Sequence, residues 1–202
     1  MKIAIIKYNA GNVQSVLYAL QRLGIDAVVT DDHTEIKAAD KVIFPGVGNA
    51  GSAMAYLKKA GLDELITSLQ QPVLGICLGL QLMCEHSEEE DTVCLGIFNV
   101  AVKKFSKNLE TSNRPLFKIP HMGWNTIYNL SSPLFIGVGE NSFVYNVHSY
   151  YASLSPQTIA TTDYIIPYST AMHKNNFYGV QFHTEKSALA GAHILSNFLK
   201  IS

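Results

Sequence analysis

The chain has 202 residues, a length that fits one domain, and residues 1–202 read as a single domain. A hydrophobic fraction of 48% and a charged fraction of 15% suit a packed globular protein that needs neither disulfides nor metal to hold its core. Fifteen Lys and Arg nearly balance sixteen Asp and Glu, and no basic run is dense enough to point to nucleic acid or a membrane surface. No stretch approaches the ~18 consecutive apolar residues of a membrane span, and MKIAIIKYNAGN at the N-terminus lacks the pattern of a secretory signal. Cys77, Cys84 and Cys94 show no paired metal-ligand spacing, so reduced thiols in a cytoplasmic protein are expected, with no metal and no cofactor.

In chain order, Lys2–Tyr8 (KIAIIKY) reads as a buried first strand. Asn12 is expected to cap a helix over Val13–Leu23 that Gly24 stops. Strands are expected at Asp26–Thr30 and Lys41–Phe44, then a glycine-rich loop, PGVG, at Pro45–Gly48. Helices near Ala50–Lys59 and Leu62–Gln70 lead to a fourth strand, Pro72–Ile76, and to a helix from Cys77 through Cys84. The run Glu85–Asp91 (EHSEEED) reads as an exposed loop. The second half carries short strand-like stretches at Gly96–Phe105, Gly123–Tyr128, Ser142–Tyr151 and Thr158–Thr162. Ser169–His173 and Phe177–Phe182 flank a hairpin turn at Lys174-Asn175-Asn176, and a last helix covers Ala188–Lys200 with Ala192, Leu195 and Leu199 on its apolar side. Strand–helix alternation followed by clustered strands implies an α/β fold: a mostly parallel sheet flanked by helices, with antiparallel C-terminal strands.

The strongest local signal is Gly75-Ile76-Cys77-Leu78-Gly79, a nucleophile elbow with cysteine in the central place. At a helix N-terminus the orphan amides favour a thiolate; a buried structural cysteine is the plain alternative. A thiolate that attacks a carbonyl needs a base to hold its proton and return it to the leaving group. His183 ends an apolar strand, and Glu185 follows two residues on, where extended chain would turn both side chains the same way. An exposed His–Glu pair at a strand end is the alternative. PGVG exposes backbone amides at a strand's carboxyl end, where with the amide of Leu78 they fit an oxyanion hole.

Together GICLGLQ (Gly75–Gln81), GVQFHTEKS (Gly179–Ser187) and PGVG resemble the class I (triad) glutamine amidotransferases, which share a flavodoxin-like fold. YNAGN (Tyr8–Asn12), PGVG followed by Ala53-Met54, IPHMGWN (Ile119–Asn125) and NVHSYY (Asn146–Tyr151) further resemble the glutaminase subunits of imidazole glycerol phosphate synthases. The resemblance implies that Cys77 attacks glutamine, His183 shuttles the proton and Glu185 orients the imidazole. It implies backbone from Val47, Gly48 and Leu78 around the oxyanion, and Gln81, Ser149 and Tyr150 on the polar ends of glutamine. Glu89 takes the place of the carboxylate that meets the substrate ammonium, a solvated glutamate being the other reading. Asn12, Trp124, Tyr145 and Lys186 fall where that family meets its partner, a separate (β/α)8 cyclase that receives the ammonia; a core aromatic is the other reading of Trp124. Thr184 stands where the family usually has proline, and threonine also suits extended chain.

Three other readings share parts of this pattern. A paralogous glutaminase subunit would feed a sugar amidotransferase for surface glycans. A stand-alone cysteine hydrolase would keep Cys77 and His183 without needing Asn12, PHMGWN or Lys186. A non-catalytic scaffold gains nothing from a nucleophile elbow.

Overall fold

The structure is a computed structural model that describes residues 1–9, 12–106 and 117–201. Ala10 and Gly11 of the YNAGN segment lie outside the described residues.

The first half is built of β1 (Ile3–Ile6), α1 (Val13–Arg22), β2 (Ala27–Thr30), α2 (His33–Lys37), β3 (Lys41–Gly46), α3 (Ala50–Ala60), α4 (Leu62–Ser68), β4 (Val73–Cys77) and α5 (Leu78–Met83). The second half contains β5 (Cys84–Ser87), β6 (Thr92–Val93), β7 (Phe98–Lys104), β8 (His121–Ile127), β9 (Ser142–His148), β10 (Tyr150–Ala152), β11 (Thr158–Tyr164), β12 (Ile166–Lys174), β13 (Phe177–Val180) and α6 (Ala188–Lys200). The main sheet runs β2-β1-β3-β4-β13-β12-β10-β7-β5-β6, with β11 paired to β12, and β8 with β9 forms a separate two-stranded ribbon. β2, β1, β3, β4 and β13 are mutually parallel, while β12 joins β13 antiparallel. No described helix is long and apolar enough to cross a membrane.

The parallel strands are apolar on both faces because helices cover both. Ala4 and Ile6 of β1 join one buried cluster with Phe44, Leu57, Leu62 and Leu80. Ile3 and Ile5 face the opposite cluster, with Leu20, Leu74, Ile76, Phe182, Ile194 and Phe198. The face of α6 that meets the sheet is thus Ile194, Leu195 and Phe198, one step round from the Ala192/Leu195/Leu199 stripe expected from spacing.

Several local expectations are corrected. Asn12 has φ 88° and makes no cap hydrogen bond from its side chain, which is engaged elsewhere. Pro45 and Gly46 continue β3 instead of opening a loop, paired with Ile76 and Cys77. Proline is tolerated there because the pairing of β3 to β1 has already ended at Ile43, so no ladder bond on that side is lost. α2 is an extra one-turn helix, set by Asp32, whose carboxylate accepts from the amides of Thr34 and Glu35 at 2.8 and 2.9 Å. The helix after Cys77 stops at Met83, and Cys84 opens β5, parallel to β7. The acidic run is therefore strand plus a 3-10 turn at Glu89–Asp91 rather than a plain loop. The expected strand Ser142–Tyr151 breaks at Ser149 into β9 and β10, which belong to different sheets. The hairpin turn holds: Lys174 pairs with Phe177 around Asn175-Asn176, and Asn175 takes φ 55°.

Candidate active site

Register along the parallel strands assembles the site. Gly46 pairs with Cys77 across β3–β4, and Val180 pairs with Ile76 across β13–β4. The loop Val47-Gly48, the thiol and the segment Gln181–His183 therefore leave the carboxyl edge of the sheet side by side, the edge at which such folds place their sites.

At the elbow, the strained residue is the cysteine itself, with φ 56° and ψ −109°. The flanking glycines answer a different need, close approach. A Cβ on Gly79 would overlap the carbonyl of Phe44, and one on Gly75 would overlap Met83 and crowd Gly79. α5 can thus lie directly on β3 and β4, which puts the first turn of the helix under the thiol. Gly46 is needed for a similar reason, since a Cβ there would meet the hydroxyl of Tyr8.

Cys77 and His183 are 6% and 4% exposed, at the floor of a cavity of about 560 Å³. His183 Nδ1 lies 2.7 Å from Glu185 Oε1, and Asn12 Nδ2 donates to the same oxygen at 2.5 Å. The expected extended geometry of this pair is corrected: Thr184–Lys186 is a 3-10 turn, and the turn brings Glu185 round to the imidazole. Burial alone would lower the imidazole pKa. Hydrogen bonds to Cys77 and Glu185 and their negative charges outweigh it and raise His183 from 6.5 to about 10.

Around this line the cavity wall includes Asn12, Val47, Gly48, Leu78, Gln81, Glu89, Ser149, Tyr150 and Lys186. Gly48 has φ +109°, a conformation that suits glycine. Gln81 is buried, and its Nε2 donates to the carbonyl of Tyr150 at 3.0 Å and to Gln181 Oε1 at 2.9 Å. Glu89 is half-buried, not a freely solvated acid: it accepts from the amide of Ala50, at the start of α3, at 2.7 Å. Burial pushes its carboxyl above the usual range, against the pull of that hydrogen bond.

Glu185 lies behind the imidazole, and Trp124 and Tyr145 lie apart from the cavity. Trp124 is 52% exposed and meets the Tyr145 ring edge-on at 5.8 Å, so it is not a core aromatic. The backbone of Tyr145 reaches the site: His183 N donates to its carbonyl at 2.9 Å, and its amide donates to Ser187 Oγ at 2.9 Å. Ser187 Oγ in turn donates to the carbonyl of His183 at 2.6 Å. Motif reading misses Ser187, Gln181 and the cavity residues Pro120, Val147 and His148. All stand inside the quoted segments, but only tertiary contact shows what they touch.

A cysteine on a sharp strand–helix turn, an imidazole held by a carboxylate and a glycine loop level with the thiol are the parts that cysteine-based acyl transfer requires. Residues 4–201 match the family model described as glutamine amidotransferase class-I. The chain belongs to the class I glutamine amidotransferases. It is 58% identical over 201 residues, the whole of both chains, to the imidazole glycerol phosphate synthase subunit HisH of Bacteroides fragilis strain ATCC 25285. Identity to the subunit of that name from Buchnera aphidicola subsp. Schizaphis graminum is 43%, again over all of both chains. Among solved structures, a putative GMP synthase protein from Thermoplasma acidophilum superposes with a TM-score of 0.71 at 22% identity, covering 99% of this chain and 92% of that one. A second, described as a glutamine amidotransferase, gives 0.72 at 15% identity over 98% and 97%. These two likenesses speak for the fold.

Proposed function

We propose that the protein is the glutaminase subunit of an imidazole glycerol phosphate synthase, in which Cys77, His183 and Glu185 hydrolyse L-glutamine and the ammonia passes to a cyclase subunit. The observation that carries the reading is the buried line Cys77–His183–Glu185, whose first two members line the cavity and whose carboxylate holds Asn12. Full-length identity of 43–58% to subunits of that name supports the choice of partner.

The Cys77 thiolate attacks the carboxamide carbon, and the oxyanion is met by the amide of Leu78 and by backbone of Val47 and Gly48. His183, protonated at neutral pH, gives its proton to the departing nitrogen, and ammonia leaves. The imidazole, now neutral, takes a proton from water, which attacks the thioester carbon. Glutamate is released, the thiolate returns, and one water has been consumed for one glutamine. Glu185 keeps the imidazole in the tautomer and orientation both halves need. Gln81, Ser149 and Tyr150 hold the polar ends of glutamine, and Glu89 meets its ammonium.

Asn12, Trp124, Tyr145 and Lys186 form the side that docks a (β/α)8 cyclase, which uses the ammonia to make imidazole glycerol phosphate and aminoimidazole carboxamide ribotide. Glutaminase assays on the isolated chain and on its complex with the cyclase test this. Turnover should be slow alone and rise when the partner and its nucleotide ligand are bound; equal rates would contradict it.

A further inference from the structure

Gln181 has no part in the roles assigned above, yet its side chain reaches the thiol from the sheet. Because Val180 is level with Ile76 across β13–β4, the next residues, Gln181 and Cys77, leave the sheet together. Gln181 is 0% exposed, and a buried primary amide is costly unless it is bonded. Its Oε1 accepts from Gln81 Nε2 at 2.9 Å, and its Nε2 lies 3.7 Å from Cys77 Sγ, within hydrogen-bond reach for sulfur.

A backbone carbonyl fixes the direction of both amides. The oxygen of Tyr150 can only accept, so the Gln81 atom 3.0 Å from it is the nitrogen. That nitrogen directs its other hydrogen at Gln181, which must then present oxygen, leaving its own nitrogen to face the sulfur. The same carbonyl takes a second hydrogen bond, at 2.7 Å, from His148 Nδ1, which sets the tautomer of His148. His148 Nε2 is then the acceptor for the Tyr168 hydroxyl at 3.3 Å. Turning the Gln81 amide over would set acceptor against acceptor at Tyr150, and turning the Gln181 amide over would set donor against donor at the link between the two glutamines.

We infer that Gln181 is a further catalytic residue: its amide N–H stabilises the Cys77 thiolate, while its carbonyl holds Gln81 in the cavity wall. The inference rests on Cys77 being the nucleophile. A donor aimed at the sulfur favours the charged form, so it makes thiolate available at lower pH and stabilises it again when the thioester is cleaved. Removing it raises the pH at which the thiol ionises.

The test is Cys77 alkylation by iodoacetamide in the full chain, followed against pH and read on the Cys77 peptide by mass spectrometry. Gln181→Met should move the alkylation midpoint upward by about one pH unit, the scale of a hydrogen bond to a charged group, and lower kcat about tenfold. Gln181→Glu keeps the shape but sets a carboxylate beside the sulfur, and should move the midpoint further in the same direction. It serves also if the methionine variant does not fold. A midpoint equal to wild type in a variant with a cooperative thermal melt overturns the inference. Failure of the nucleophile reading looks different: wild-type Cys77 would alkylate no faster than Cys84 or Cys94.

Discussion

His183 sits between two groups that favour its charged form, the Cys77 sulfur and the Glu185 carboxylate. The folded chain therefore holds this proton more tightly than a free imidazole does. Its contribution to stability is full below about pH 6.5 and is lost as the pH rises to about 10. NMR titration of the His183 ring should find it still protonated at pH 8. In Cys77→Ala the same ring should titrate at lower pH, because the largest of the raising interactions is gone while burial remains. An unchanged midpoint would separate the two side chains and undo the proton-transfer step. These residues are legible as motifs because a nucleophile elbow and a histidine–glutamate segment are written in local sequence. Gln181 is not, although it lies in one of those segments, because its role depends on β13 pairing level with β4 and on where α5 places Gln81. Asn12 reads as a helix cap in the sequence, but the carboxylate of Glu185, 173 positions away, is the stronger partner for its amide.

Among the elements, the turn after His183 decides whether the triad closes. Thr184 is its first residue, a place where the backbone amide has no partner within the turn and where proline fits. Its hydroxyl is buried and, among the described residues, has no hydrogen-bond partner. Thr184→Pro should therefore stabilise the chain by about 0.5–1 kcal/mol, through a less flexible unfolded state and the removal of that hydroxyl, and leave glutaminase turnover equal or higher. Thermal melts and steady-state assays check this. The elbow responds in the opposite direction: Gly79→Ala forces a methyl against the carbonyl of Phe44 and should cost about 1–3 kcal/mol in denaturant melts. The parallel strands are easy to read because each is a short apolar run between turn residues. α2 and β5 are not, since the first buries a single residue, Ile36, and the second is a short polar segment leading into the acidic run, whose pairing with β7 overrides its composition.

At the scale of the molecule, the β8–β9 ribbon joins two surfaces. Strand alternation points His121 and His148 inward and leaves Met122, Trp124, Phe143 and Tyr145 on the other face, the first three more than half exposed. The backbone of Tyr145 is bonded to His183 and Ser187, so this face is one residue away from the His183 imidazole. Trp124→Ala should weaken the complex with the cyclase at least tenfold, as expected of an exposed aromatic anchor, and leave the slow activity of the isolated chain unchanged. Isothermal titration of the two proteins reads the first effect and a glutaminase assay the second. None of this wiring is visible in the sequence, where residues 124, 145 and 183 are far apart and only the ribbon register brings them together. Cys77 is proposed to make ammonia for chemistry carried out on another subunit. The most direct test is Cys77→Ala reconstituted with the cyclase, measured for imidazole glycerol phosphate formation with glutamine and, separately, with ammonium salt. Loss of the glutamine-dependent rate with the ammonium-dependent rate intact is the predicted result; a glutamine-dependent rate that survives the substitution would contradict the account.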